Sequence, residues 1–597
     1  MRLFRRLTTA AFIAVIPLFT LAQSEKDTPK PNWFNLDLQQ DGVFGISTEK
    51  AYQQIIKDKK GQTVIVAVID GGVDTEHEDL KPIIWTNPKE IAGNGKDDDK
   101  NGYIDDIHGW NFIGSAKGDV EFDNLEMVRL LRKYKPLYTS VVTSTPLSPK
   151  QRKEFQLYTR IISDYTSNLQ QAEMGNENIS MIKKTMEEIV KKIGKPSPTA
   201  DDFDNYKSAN DTESKVLRMI KSALKKDPDF AKYTKGINDA YKYYDTQIKY
   251  NLNMDYDPRS IVGDDYKNSK EHNYGNANVK GPDAEHGTHV SGIIGAVREN
   301  NIGIKGVANN VQIMSVRTVP NGDERDKDVA NAIRYAVDNG AKVINMSFGK
   351  SYSWDKSVVD EAVKYAASKD VLLVHAAGND GANTENNNNF PTRIYTADTT
   401  DANFMNIPER RMPPAGGMNP DNQSRQGFPQ GQGRGGFGSG RMDKPAVEKS
   451  HLDSIRNARP RAANWIEVGA SGWKDDESLV AEFSNYGKSS VDVFAPGEKI
   501  NSTIPDSKYE PNDGTSMASP VVAGLAALIR SYYPSLTAVQ VKDLIMKSVS
   551  KVDHKVKVRE ADGNVSKLPL ADVSISGGIV NAYNALSLAQ KTYGNPK

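Results

Sequence analysis

The chain has 597 residues, 77 basic and 77 acidic side chains, a formal net charge of zero and 38% hydrophobic residues. That length can bury a large core, and the balanced charge leaves no basic footprint for nucleic acid. Cysteine is absent, which excludes disulfide staples and a lipid-modified cysteine, so stability must come from packing.

The chain opens with Arg2, Arg5 and Arg6, then an apolar run over residues 7–21 interrupted by Pro17, then Ala22 before Gln23. Residues 1–22 are predicted to be a signal peptide, because the run falls short of the roughly 20 apolar residues that crossing a bilayer takes. An exported chain, periplasmic or extracellular, without a membrane span after cleavage is the expectation. Residues 23–60 form a polar lead-in with Trp33 and an amphipathic stretch over 49–57.

From Thr63 the pattern becomes α/β. TVIVAVID is a continuous β-branched run ending at Asp70, as expected of a parallel strand buried on both faces. Similar runs recur at 311–319, 342–348, 371–377, 465–470 and 491–494, with helical patterns at 329–337 and 358–367 between them. The prediction is a doubly wound, mostly parallel sheet with helices on both faces, built from residues 61–119 and 256–590. Ligands of such sheets bind beyond the carboxyl ends of strands, where Asp70, Ser347 and Asn379 all fall.

Shortly after Asp70, NGKDDDKNGYIDD carries oxygen donors at alternating positions. Asp97, Asp99, Asn101, the Tyr103 carbonyl and Asp105 follow the early ligand spacing of a calcium loop, and Asp106 supplies a further carboxylate. His108 stands where an EF-hand has its glutamate, so the loop is not an EF-hand. Residues 120–255 are rich in Lys, Glu and Tyr and are predicted to be a helical insertion. Ile179, Ile182, Met186, Ile189 and Ile193 share one helix face, with Gly194 and Pro196 as stop signals. This insertion reads either as a bundle packed on the rest or as a cap or docking arm. Residues 404–446, with MPPAGGMNP and GQGRGGFGSGR, cannot bury a core and are expected to form a flexible loop.

Three motifs carry chemistry. VIVAVIDGG presents Asp70, HGTHVSG opens a helix at His286, and GTSMASP opens another at Ser516. A serine hydroxyl is a poor nucleophile until a histidine takes its proton, and a carboxylate fixes that histidine's tautomer. His289, one turn after His286, reads as a packed histidine, since HxxH lacks the spacing of a helical zinc pair. At these motifs, in the order Asp, His, Ser, the chain resembles the subtilisin-like serine peptidases (subtilases).

The resemblance implies a serine endopeptidase acting on proteins or peptides through an acyl-enzyme, with Ser516 as nucleophile, His286 as base and Asp70 orienting it. It implies that Asn379 donates to the oxyanion beside the nucleophile's own N–H. Ser347, Phe348 and Gly349 would form one wall of the substrate groove, and Ala376, Ala377 and Gly378 another. Acidic loops close after the catalytic aspartate also bind calcium in this family, which supports calcium at 97–106. A second calcium shared by Asp79 and Asn300 is implied by the resemblance alone. A monomer is expected. Two other readings stay open: an idle scaffold that kept the fold, and a maturation protease whose inserted helices restrict access.

Overall fold

The computed structural model describes residues 28–57, 59–142, 145–385, 388–396, 398–404, 459–560 and 563–595. The predicted signal peptide and nearly all of the 404–446 loop lie outside the described residues.

Seven strands form the central sheet: β1 (Val64–Asp70), β2 (Gly109–Asn111), β3 (Val311–Arg317), β4 (Val343–Met346), β5 (Leu372–Ala376), β6 (Trp465–Ser471) and β7 (Val493–Pro496). Their spatial order is β2-β3-β1-β4-β5-β6-β7, and every pairing is parallel. β1 pairs with β3 from Val64 opposite Val311 to Asp70 opposite Arg317. The chain leaves β1 to build β3 on one side and β4 onward on the other, so the crevice opens at the carboxyl end of β1.

The strands hold because both faces are covered. Alternate side chains of β1 enter two cores: Val66 and Val68 join one, Ala67 and Ile69 the other. Across chain order the helices used below are α1 (Glu126–Tyr138), α2 (Pro149–Ile193), α3 (Asp211–Lys226), α4 (Phe230–Thr246), α5 (Glu285–Gly295), α6 (Asp326–Asp338), α7 (Lys356–Ser368) and α8 (Thr515–Tyr532). α5 and α8 share the first core, and α6 and α7 the second. α8 is apolar all round and almost wholly buried. A Cβ at its Gly524 would lie 2.8 Å from Val307 Cβ and 3.1 Å from the Ile294 carbonyl, so glycine there lets α8 approach closely.

A hairpin follows the sheet, with β8 (Ile500–Ile504) antiparallel to β9 (Lys508–Asn512). It braces α5: Ser502 Oγ donates to the His289 carbonyl and Thr503 Oγ1 to that of Thr288, each at 2.7 Å.

Residues Ser163–Asn253 form a compact unit of their own. The predicted stripe of Ile179, Ile182, Met186 and Ile189 is buried against Phe203, against Val216, Leu217 and Ile220 of α3, and against Phe230 and Ile237 of α4. α2 ends at Ile193, and Gly194 follows at φ 76°. No helix among the described residues is long and apolar enough to cross a membrane.

Candidate active site

Asp70 ends β1 almost fully buried, at 3% exposure. The Gly71 N–H donates to its Oδ1 at 2.7 Å. His286, in the first turn of α5, sets Nδ1 at 2.8 Å from Asp70 Oδ1 and 2.9 Å from Oδ2. That contact fixes the proton on Nδ1 and leaves Nε2 as acceptor. Two glycines make the approach possible. Gly72 sits at φ 140°, and a Cβ on Gly287 would lie 2.2 Å from the Gly72 carbonyl. Loss of solvent around the ring disfavours the imidazolium. The Asp70 charge and hydrogen bond outweigh that loss, and Asp283 and Glu285 assist, so the His286 pKa lies above its ordinary value. The side chain is still 45% exposed.

Ser516 lies in the first turn of α8 and is partly exposed. Pro520 has no N–H, so the Ser516 carbonyl lacks its usual partner four residues on. Ser347 supplies it: its Oγ donates to that carbonyl at 2.9 Å. Behind Ser347, the buried Asn345 donates to Ser347 Oγ at 2.9 Å and accepts from Ser519 Oγ at 2.8 Å. The Ser516 hydroxyl itself donates to the Ser347 carbonyl at 3.1 Å. Among the described residues it makes no hydrogen bond to His286, whose Nε2 carries none either. The structure therefore joins Asp70 to His286 and pins Ser516 to the sheet, with the serine hydroxyl turned to Ser347.

Asn379 follows β5. Its Oδ1 accepts from the N–H and the Oγ1 of Thr515, both at 2.8 Å, which holds the carboxamide and leaves Nδ2 to donate. A Cβ built on Gly514 would sit 3.5 Å from Asn379 Nδ2 and 3.5 Å from the Ser516 N–H nitrogen. Both donors thus border one space, the arrangement that stabilises a developing oxyanion.

The two expected walls differ in their main chains. Gly349 makes no main-chain hydrogen bond among the described residues. In contrast, the Ala376 carbonyl accepts from Asn389 Nδ2 at 3.0 Å and the Ala377 carbonyl from Asn485 Nδ2 at 2.9 Å. The Gly378 carbonyl accepts from the Asn485 N–H at 2.9 Å, and the Gly378 N–H donates to Thr515 Oγ1 at 3.1 Å. Only the first wall keeps a backbone edge open to a peptide. Phe348 packs edge-on against His375, ring centres 6.4 Å apart. Sequence reasoning did not single out Asn389, whose Oδ1 lies 2.1 Å from where a Gly349 Cβ would be. It links the two walls, and its one signal is the asparagine run before Phe390.

The acidic loop is rearranged relative to its spacing. Asp97 accepts from the N–H groups of Asn101 and Gly102, at 3.0 and 2.8 Å. Asp105 accepts from those of Gly93, Asn94 and Gly95. Both shape the loop rather than converge, and the Tyr103 ring is buried against Trp110, Phe112 and Tyr335. The converging carboxylates are Asp99, Asp106 and Glu90, with one oxygen of each within 4.8 Å of the others. Glu90 is a residue that the spacing did not reveal. Its Oε2 is buried without a partner. The amide groups of Asn87 and Asn101 face Asp99 and Asp106 at 3.0–3.3 Å. Burial pushes the Asp106 carboxyl up to about 6, against hydrogen bonds from Tyr335, Asn101 and Asn87. Three carboxylates, one with an orphaned buried oxygen, make an all-oxygen donor set suited to calcium.

Asp79 and Asn300 do meet, with Asn300 Nδ2 2.7 Å from Asp79 Oδ1. The second Asp79 oxygen accepts from the Ile304 N–H at 3.1 Å. The two residues that the resemblance pairs at a second calcium thus lie in contact. His289 is buried, with Nε2 3.0 Å from the Glu510 carbonyl, and burial pushes its pKa down to about 4.

The chain is 31% identical over 304 residues to the thermophilic serine proteinase of Bacillus sp. (strain AK1), covering 51% of this chain and 52% of that protein. It is 32% identical to thermitase of Thermoactinomyces vulgaris over 41% of this chain and 61% of thermitase. Subtilisin Savinase of Lederbergia lenta shares 29% identity over 43% of this chain and 67% of its own. The chain spans about half the length of the first of these relatives. Among solved structures, a chain of the subtilase cytotoxin SubAB assembly shares 21% identity at TM-score 0.35, covering 52% of this chain and 79% of its own. The sequence profile of the Subtilase family matches residues 61–565, and the chain belongs to that family.

Proposed function

We propose that the protein is an exported serine endopeptidase that hydrolyses peptide bonds through an acyl-enzyme. The observations that support this reading are the Asp70–His286 hydrogen bond at the carboxyl end of β1 and the Ser516 N–H, which borders the same space as Asn379 Nδ2. When a peptide binds, the Ser516 hydroxyl leaves the Ser347 carbonyl, a neutral hydrogen bond worth about 1 kcal/mol, and turns to His286. Ser516 Oγ then attacks the scissile carbonyl carbon while His286 Nε2 takes its proton. Asp70 stabilises the imidazolium, and the Ser516 N–H and Asn379 Nδ2 hold the oxyanion. Collapse expels the amine, protonated by His286, and water hydrolyses the ester by the same route. Supporting export are the basic and apolar features of residues 1–22.

A fluorophosphonate probe tests the reading, since only an activated serine reacts with it. Labelling is expected on Ser516, lost in His286→Ala, and slowed about 10²–10³-fold in Asn379→Ala, the scale of one oxyanion donor. Absence of labelling in the unaltered chain would leave the scaffold alternative.

We further propose calcium at the acidic loop, held by Glu90, Asp99 and Asp106. The bound ion would offset two of the three carboxylate charges and brace the loop that leads to β2. Chelation is expected to lower the melting temperature by about 3 °C, as a ligand near 100 times its Kd contributes about 2.7 kcal/mol. Asp106→Asn should remove that difference. A melting curve indifferent to chelator in the unaltered chain would reject the site.

A further inference from the structure

A donor to an oxyanion works at about 2.7–3.1 Å and weakens steeply beyond that. Asn379 is nonetheless an exposed residue on the loop that follows β5, and loops are ordinarily more mobile than the strands they leave. Thr515 holds its carboxamide. The main chain that carries Asn379 needs a holder of its own.

Asn485 grips that main chain on both sides. Before Asn379, Asn485 Nδ2 donates to the Ala377 carbonyl at 2.9 Å, and the Asn485 N–H donates to the Gly378 carbonyl at 2.9 Å. After it, Asn485 Oδ1 accepts from the N–H groups of Asp380 and Ala382, at 3.1 and 2.9 Å. One end of the amide meets N–H donors and the other a carbonyl, so a single orientation of the side chain satisfies them. Nδ2 also faces Asp380 Oδ2 at 3.3 Å. The approach is close: a Cβ on Gly378, which sits at φ 99°, would lie 2.5 Å from Asn485 Nδ2.

Asn485 is firmly seated in turn, at 2% exposure. The buried Ser484 beside it accepts at Oγ from the Ala470 N–H of β6 at 2.8 Å, and the same Oγ donates to the Asn485 carbonyl at 2.9 Å. Flanking bonds close the turn, with the Gly381 N–H donating to the Phe483 carbonyl at 2.7 Å and the Tyr486 N–H to the Ala382 carbonyl at 3.0 Å. A line of hydrogen bonds therefore runs from the central sheet through Ser484 and Asn485 to the peptide groups on either side of Asn379.

We infer that Asn485 is a positioning residue for hydrolysis, fixing the turn over residues 377–382 so that Asn379 Nδ2 stands beside the Ser516 N–H where the oxyanion forms. The inference rests on the peptidase reading and on Asn379 as the oxyanion donor. Asn485, buried behind the turn, acts through Asn379 and not on the substrate.

A double-mutant cycle tests it. For a peptide 4-nitroanilide, kcat per titrated active site and KM are measured in the unaltered chain, Asn485→Ala, Asn379→Ala and the double variant. Asn485→Ala is expected to lower kcat by about 10–100-fold with KM within about threefold, since a shift of about 1 Å at a catalytic group can cost about 10²-fold. In the Asn379→Ala background the same change is expected to lower kcat by no more than about twofold, because the group it places is already gone. Titration removes any contribution from unfolded protein. If the alanine variant fails to fold, Asn485→Ser goes through the same cycle and is judged by the same outcomes. An equal loss in both backgrounds, or no loss in the unaltered one, would overturn the inference and leave the peptidase reading intact. An Asn379→Ala variant with undiminished kcat would overturn the donor role of Asn379 and this inference with it. Absence of hydrolysis in the unaltered chain would overturn the peptidase reading as well.

Discussion

Ser516→Ala is expected to lower peptide hydrolysis by a factor of about 10⁶, the scale on which loss of a triad nucleophile acts. The fold should hardly register the change. The hydroxyl is partly exposed and donates only to the Ser347 carbonyl at 3.1 Å, so its loss removes one neutral hydrogen bond, about 1 kcal/mol. For a domain of this size that is a shift in Tm of about 3 °C or less. Turnover measured with active-site titration and melting measured on the same preparation check both halves. Retained hydrolysis would refute the assignment, whereas a large fall in Tm would show that Ser516 is chiefly a packing residue.

Asp70→Asn separates orientation from attack. The carboxylate meets His286 Nδ1 with both oxygens, and an amide of the same shape can present an N–H there, forcing the wrong tautomer. A fall of about 10⁴ in kcat at neutral pH follows, with KM little changed. The pH profile gives a second readout. His286 works as base only when neutral, so kcat/KM rises as pH passes upward through its pKa. Asp70 lifts that pKa above the ordinary histidine value, so the acid limb of the unaltered enzyme lies high. In Asp70→Asn the lift is gone, and the limb moves to lower pH even as the plateau falls. A limb that stays in place would mean that Asp70 does not govern the ionisation of His286.

The sheet was legible because its strands are long apolar runs. The runs at 63–70, 311–319 and 465–470 correspond to β1, β3 and β6 within two residues at each end. β2 escaped notice, since three residues at the sheet edge give no periodicity. The hairpin of β8 and β9 escaped for another reason. β9, KYEPN, is polar and only partly buried, and its role is to offer carbonyls to His77 and His289 rather than side chains to a core. The contacts of Asp70 with His286 and of Asn379 with Thr515, next to Ser516, join segments that each carry a short motif legible in the sequence. The proposed metal donors could not be sorted by spacing, because loop curvature decides which carboxylates converge and which accept backbone amides. Asp97 and Asp105 took amides, and Glu90 joined from outside the loop.

The proline in GTSMASP has an effect on how steady the nucleophile can be. A helix end ordinarily loosens, and groups on its first turn share that thermal fraying. Here the missing rung at Pro520 is replaced by a hydrogen bond from Ser347, itself braced by Asn345 within the central strands. The backbone at Ser516 is therefore moored to the central strands, and fraying of the helix tip need not displace it.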